Sequence, residues 1–475
     1  MRPFYGSNLK YIDKITSSSD GALGDLFQES NIVAITQIQL LGEELGGGFE
    51  NAFNNCVSLL RIGTIDAPNY YGTCTSMFYG CRGLESFKKM NFACSNATNM
   101  FRGCNNLFTV NPDNFPDMTN CSGYTYAFSG TAIREINLPF VKENSPVTSM
   151  EGMFSDCTYL SKVTFGDGVI PSAVTTAASM FKNTAIDTVM PLSDKNTKSL
   201  NMYGMYQDCL SLTSCYSSLP ACVNNLNYAF FRSGLTSVDM TIKSNKVSMN
   251  RAFSQCALLT DLKVKFSNDN KSGLVTDMVA LAMGNNSLVN AYIKFPEQLQ
   301  IDMAYKTGMT YYWMFRNCPA LKTVEVDMTA MQPGAIADFG ALFEFNNAME
   351  SIKGFDLSHV ARTPYNKLLT GYSYYDSHDF HMLYNMDIGL LKTFEVVGEL
   401  PQSYRFDAFS SMSHIPFIKN VLKHLATISG DTQTVHFGFD VMTHIDPSKT
   451  AVETIDQELK ALAEAAIAKG WNISL

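Results

Sequence analysis

Apolar and polar residues alternate in short runs along this chain, as in LSKVTF, LTSVDM, LTDLKVKF, LKTVEV and IREINL. Period-two alternation over roughly five to eight residues predicts half-buried β-strands. Many of these runs follow a phrase built on an aromatic residue, such as SMFYGCRGL at 76–84 or NMFRGCNNL at 99–107. Aligned on that aromatic, the chain has anchors at Phe27, Phe53, Phe78, Phe101, Phe128, Phe154, Phe181, Tyr206, Phe230 and Phe253, then Met283, Phe315, Phe343, Tyr384 and Phe409. Successive gaps are 23 to 27 residues as far as Phe253 and irregular beyond it. A period of this size predicts a solenoid. In TNMFRGC and ASMFKNT, Met and Phe stand together after a Thr or Ser, which predicts one inward-packing helical turn per unit. Clusters of Asn, Gly, Pro and Ser, as in NPDNFPDMTN, supply the corners.

Cysteine follows an anchor by three residues at Cys56, Cys81, Cys104, Cys157, Cys209, Cys256 and Cys318, seven of the chain's twelve cysteines. In a second form of the unit (FQESNI, FSGTAI, FKNTAI, FFRSGL), Ser or Thr stands there instead, and the apolar residue that follows comes one place earlier. A column that accepts Cys, Ser, Thr and Asn predicts a structural ladder, because neither a thiolate ligand nor a nucleophile tolerates exchange for threonine. Zinc ligands also come in pairs a few residues apart, whereas these cysteines are spaced one per coil. Stacked neighbours about 4.8 Å apart lie slightly too wide for a relaxed disulfide. Cys94 and Cys121, each seven residues before an anchor, suggest a minor second ladder.

Composition narrows the function. At 46% hydrophobic and 17% charged, the chain has material for a continuous core. A net charge of −9 without a basic run argues against nucleic acid as a partner. The opening MRPFYGSNLKYIDKITSSSD lacks an export-signal core, and no window reaches the ~18 apolar residues of a membrane helix. The expectation is a soluble protein without membrane insertion, made in a reducing compartment with its thiols free. No P-loop, dinucleotide fingerprint, HExxH or GxSxG triad pattern is present, so the chain reads as a non-enzyme with no cofactor or metal site.

SMFYGCRGL, NMFRGCNNL, GMFSDCTYL, GMYQDCLSL, RAFSQCALL and WMFRNCPAL resemble the BspA-like leucine-rich repeat family, with its consensus close to MFxxCxxL, over about residues 20–410. The resemblance implies an α/β repeat solenoid: a leucine-rich-repeat-like right-handed coil with one short parallel strand per repeat. Residues 1–22 are then an N-terminal cap, 23–412 the solenoid (irregular from about 270, with an insertion about 360–383), and 413–475 a C-terminal αβα cap. In that cap SHIPFIKNVLKHLA predicts a helix from Ser413, TQTVHFGF a final strand, and residues 450–470 a helix with a capping box from Thr450 to Glu453 and a closing Gly470. The ending AIAKGWNISL resembles a terminal phrase of family members encoded by bacteria and their phages.

The same resemblance implies recognition rather than catalysis. The leading expectation is a structural or recognition protein of a bacteriophage virion, in the tail or host-contact apparatus, assembled in the host cytoplasm. A bacterial cell-surface adhesin and a carbohydrate-active enzyme on the repeat scaffold are the alternatives. The expected partners are other virion or cell-surface proteins and a host-surface glycan. Candidate contact residues lie on the outward strand positions Glu135, Lys162, Asp187, Asp239, Lys263, Lys265, Glu325 and Asp327. A tyrosine- and histidine-rich insertion adds Tyr365, Tyr372, Tyr374, Tyr375, Asp376, His378 and His381.

Overall fold

The computed structural model describes residues 4–18, 24–42, 48–244, 246–267, 274–296, 298–299, 313–331, 342–359, 390–400, 404–406, 415–429, 432–437 and 456–474. Two compact units divide the chain, Met1–Ser214 and Cys215–Leu475.

In the first unit β1 (Tyr11–Ser17), β2 (Ala34–Leu40), β3 (Arg61–Thr73) and β4 (Ser86–Asn96) form a parallel sheet in that order. Equivalent inward residues lie side by side: Ile12, Ile35, Ile62 and Phe87 in one row, Ile15, Ile38, Ile65 and Met90 in the next. Two residues separate these rows instead of one, and the same spacing in every strand keeps the coils in register. At Gly63 the neighbouring strand passes so close that a Cβ would lie 1.8 Å from the Thr36 carbonyl oxygen, a space only glycine fits. Farther along, β5 (Glu135–Leu138) pairs with β6 (Lys162–Phe165), and β7 (Leu200–Asn201) is a short strand.

The second unit contains β8 (Ser218–Leu219), β9 (Val223–Asn225), β10 (Ser237–Ile242), β11 (Lys246–Ser248), β12 (Asp261–Phe266), β13 (Leu274–Asp277), β14 (Asn290–Lys294), β15 (Gln298–Leu299), β16 (Thr323–Asp327), β17 (Ser351–Asp356) and β18 (Thr393–Val397). They sort into two parallel sheets, β8-β10-β12-β14-β16-β17-β18 and β9-β11-β13-β15. A coil here therefore supplies two strands where one was expected. The fold is a parallel β-solenoid of leucine-rich-repeat type, with few helices.

At the C-terminal end come β19 (Tyr404–Phe406), α1 (Ile415–Lys423), β20 (Gln433–Phe437), α2 (Gln457–Ala468) and β21 (Trp471–Ser474), the strands again parallel in chain order. Within 413–475 the order is α1, β20, α2 and β21, so a strand inside the ending phrase follows the helix, strand and helix that were expected, and β19 precedes them. The cap of α2 is Asp456, whose carboxylate accepts from the Leu459 amide, and not Thr450. Ser413 and Thr450 lie outside the described residues. Gly470, at φ +93°, closes α2 as the sequence suggests.

The anchor segments are not helical turns. In the coil of Phe78 the amides of Met77, Tyr79 and Cys81 donate to the carbonyls of Cys74, Ser76 and Phe78, which makes three overlapping β-turns. Ser76 and Gly80 hold positive φ at the third position of the first and last turns, as a type II turn requires. The same two positions, two before and two after the anchor, are left-handed in coil after coil, whether occupied by Asn99 and Gly103, Tyr126 and Gly130, or Arg251 and Gln255. This turns the central peptide of each turn along the stacking direction. Ser76, Phe78 and Gly80 donate to the carbonyls of Thr98, Met100 and Arg102 in the next coil at 2.8 Å, so the turns form a ladder of their own.

The anchor rings stack inside this ladder. Phe4, Phe27, Phe53, Phe78, Phe101, Phe128, Phe154, Phe181 and Tyr206 follow one another at 4.9–5.7 Å with planes tilted by 6–13°. Phe4 extends the repeat into the segment expected to be only a cap. Each ring fills the space between its neighbours, so the column is well packed and sensitive to truncation. Phe101→Ala is expected to cost about 3–5 kcal/mol, the usual price of deleting a buried ring, whereas Cys104→Ser should cost under about 1.5 kcal/mol. Urea denaturation of both variants checks the contrast.

Candidate functional site

Each column thiol is placed by the turn that follows its anchor. The Sγ of Cys56, Cys81, Cys104, Cys157, Cys209 and Cys256 donates to the carbonyl of the preceding coil's anchor (Phe27, Phe53, Phe78, Phe128, Phe181 and Phe230) at 2.9–3.1 Å. Cys318 donates instead to the Ala282 carbonyl, at 3.2 Å. Ala282 is therefore the anchor of that coil. Ala280 and Gly284 hold its left-handed positions, which corrects the sequence alignment on the half-buried Met283.

Ser30, Thr131, Thr184 and Ser233 occupy the column where cysteine is absent, within 3.3–3.5 Å of the next thiol. Asn285 and Asn346 complete it. Their amides donate to the Phe253 and Phe315 carbonyls, and their Oδ1 atoms accept from the Cys256 and Cys318 amides. All twelve cysteines are free thiols. Burial pushes Cys157, Cys209 and Cys256 up to about 11 and Cys318 up to about 12, so they stay protonated and unreactive. Cys94 and Cys121 make a second buried pair as expected, and their mutual hydrogen bond, followed by burial, raises Cys121.

The outward face of the second unit is largely self-compensated. Lys265 pairs with Asp239 at 2.7 Å, Lys294 with Asp327 at 3.7 Å and Lys353 with Glu395 at 3.5 Å, and Lys263 sits 5.4 Å from the centre of the Tyr292 ring. These charges satisfy one another across neighbouring strands. The insertion residues Tyr365, Tyr372, Tyr374, Tyr375, Asp376, His378 and His381 lie outside the described residues.

The other sequence candidates, Glu135, Lys162 and Asp187, meet in the first unit around a cleft of about 420 Å³ whose walls include Ser161, Val163, Thr164, Thr188, Val189 and Met190. The cleft exists because one coil fails to add its strand. Residues 187–191 occupy the strand place after β6, but the Met190 amide donates to the Tyr206 hydroxyl at 2.8 Å. Pro191 has no amide to offer, and its carbonyl accepts from Ile170 at 2.9 Å. Nothing among the described residues pairs with the far edge of β6. Val163 is half-buried there, while its equivalents Ile136, Val238, Leu262 and Val324 are buried to 1–3% exposure. Glu135, Lys162 and Asp187 make no ion pair among the described residues, in contrast to the paired charges of the second unit.

A model of the BspA type leucine rich repeat region matches residues 2–108, 49–144, 73–213 and 122–260, together more than half of the chain. The chain belongs to this family. No curated protein matches it significantly. Among solved structures it is similar to a leucine-rich repeat protein from Bacteroides ovatus ATCC 8483, at 14% identity and a TM-score of 0.34, with 79% of this chain and 82% of that one covered. Repeats of this type are scaffolds suited to binding other proteins. Among the described residues no His, Cys, Asp and Glu cluster could hold a metal ion, and no helix is long and apolar enough to cross a membrane.

The thiol column has a pH consequence. A group whose folded pKa is raised adds stability in full below its unfolded value and loses it as pH climbs towards the folded one. The free-thiol value is about 8.5, so stability should fall between that pH and about 11, the folded value of Cys157 and Cys209. The urea midpoint is expected to drop from pH 7.5 to pH 10.5, and less steeply in a Cys157→Ser, Cys209→Ser variant.

Proposed function

We propose that this chain is a non-enzymatic recognition protein of a bacteriophage particle, in its tail or host-contact apparatus, and that it holds a partner protein at the cleft beside β6. The observation that carries the reading is the edge of β6, unpaired among the described residues of a parallel solenoid and flanked by three charges that make no ion pair among them. An extended segment can add to such an edge through its backbone, with side chains read by the walls. Glu135 and Asp187 favour a basic residue on that segment, and Lys162 an acidic one. The ending AIAKGWNISL resembles a phrase of family members encoded by bacteria and by their phages, which is compatible with this origin, and twelve free thiols suit assembly in a reducing cytoplasm.

The test is made on particles. The chain should be present at fixed copy number in density-purified virions, and a photo-crosslinker at Thr164 should join it to one particle protein. Lys162→Glu with Asp187→Lys should weaken that partner's binding by about tenfold or more, about 1.4 kcal/mol, with the circular dichroism spectrum unchanged. Recovery only from bacterial envelope fractions would contradict the virion reading and favour the adhesin. Unchanged binding by the double variant would remove the cleft from the account.

A further inference from the structure

The first coil presents a second open edge, independent of the cleft. Among the described residues only β2 pairs with β1, and it does so on one side. Ile12 and Ile15 are half-buried there, although the same positions one coil later, Ile35 and Ile38, are 2% and 1% exposed. Tyr5, Leu9 and Tyr11 around this end are 44%, 44% and 75% exposed. An edge of this kind is a template for another strand.

The order of residues along β1 says which strand fits. In β1 two outward residues, Asp13 and Lys14, stand between the inward Ile12 and Ile15. The pattern is therefore the same read in either direction about the midpoint between Asp13 and Lys14. If a second β1 runs antiparallel about a two-fold axis at that midpoint, Ile12 of one copy faces Ile15 of the other. Asp13 then faces Lys14, Tyr11 faces Thr16, and every facing pair lies on one side of the sheet. A one-residue slip would oppose Lys14 to Lys14 or Asp13 to Asp13 and put like charges together. We propose that two copies of this chain associate through antiparallel pairing of β1, a self-complementary contact of the kind that closes a two-fold dimer.

The experiment is sedimentation equilibrium of the full chain at low salt, with Asp13→Lys, Lys14→Asp and the combined exchange. The original chain should form a concentration-dependent dimer. Each single change should weaken it by about tenfold or more, and the combined exchange, which again sets a lysine opposite an aspartate, should recover it to within about threefold. Identical thermal unfolding of all four proteins separates loss of pairing from loss of fold. A monomer at every concentration, a dimer indifferent to the single changes, or failure of the combined exchange to recover it would each overturn the proposal.

Discussion

The direction of the peptide groups in the anchor turns is the constraint on which the structure rests. A buried tight turn leaves central amides and carbonyls without partners inside the turn, and an unsatisfied buried peptide group costs about 1–3 kcal/mol. Here they point along the stack and pair with the next coil, as the Ser76, Phe78 and Gly80 amides do with Thr98, Met100 and Arg102. Only left-handed residues on either side of the anchor achieve this, even where the residue is Tyr126 or Trp313. The strain of such positions, on the order of 1–2 kcal/mol for a residue with a Cβ, is offset by the ladder they permit. At Tyr126 and Trp313 an arginine lies over the ring, Arg102 and Arg316, each at 4.5 Å.

The ladder also explains what the cysteines do. Stacking sets the column at the coil repeat and leaves room for a small side chain that can reach the anchor carbonyl behind it. The Cys256 thiol and the Asn285 amide both reach it, and the Thr184 hydroxyl, which donates to the carbonyl of its own anchor Phe181, fits the same place, so the column accepts all three residue types. Recognition is better placed where regular stacking stops. At residues 187–191 a tyrosine hydroxyl and a proline withdraw backbone groups from the sheet, and the edge of β6, unpaired among the described residues, lies beside charges that make no ion pair among them.

Sequence periodicity revealed the strands, the ring column and the thiol column because each repeats a residue type in a fixed place. The turns were less legible. Their defining feature is a backbone angle, and Asn99, Tyr126, Arg251 and Gly152 adopt it with nothing in common as side chains. At the Ala282 coil the anchor has no ring, so size alone drew the alignment to Met283. Second strands such as Val223–Asn225 and Lys246–Ser248 are too short to show alternation. Glu135, Lys162 and Asp187 were visible as outward residues, but their meeting was not, since a cleft made by missing pairing leaves no repeated pattern.

Hydrogen–deuterium exchange of the native protein tests the stacked-turn ladder most directly. Segments 99–104 and 126–131 contain turns and no strand, yet their anchor amides, Phe101 and Phe128, donate to Ala127 and Met153 of the following coils at 2.8 and 2.9 Å. These segments should therefore exchange as slowly as the neighbouring strand β4. Rapid exchange of the anchor amides, at the rate of ordinary surface turns, would contradict the account.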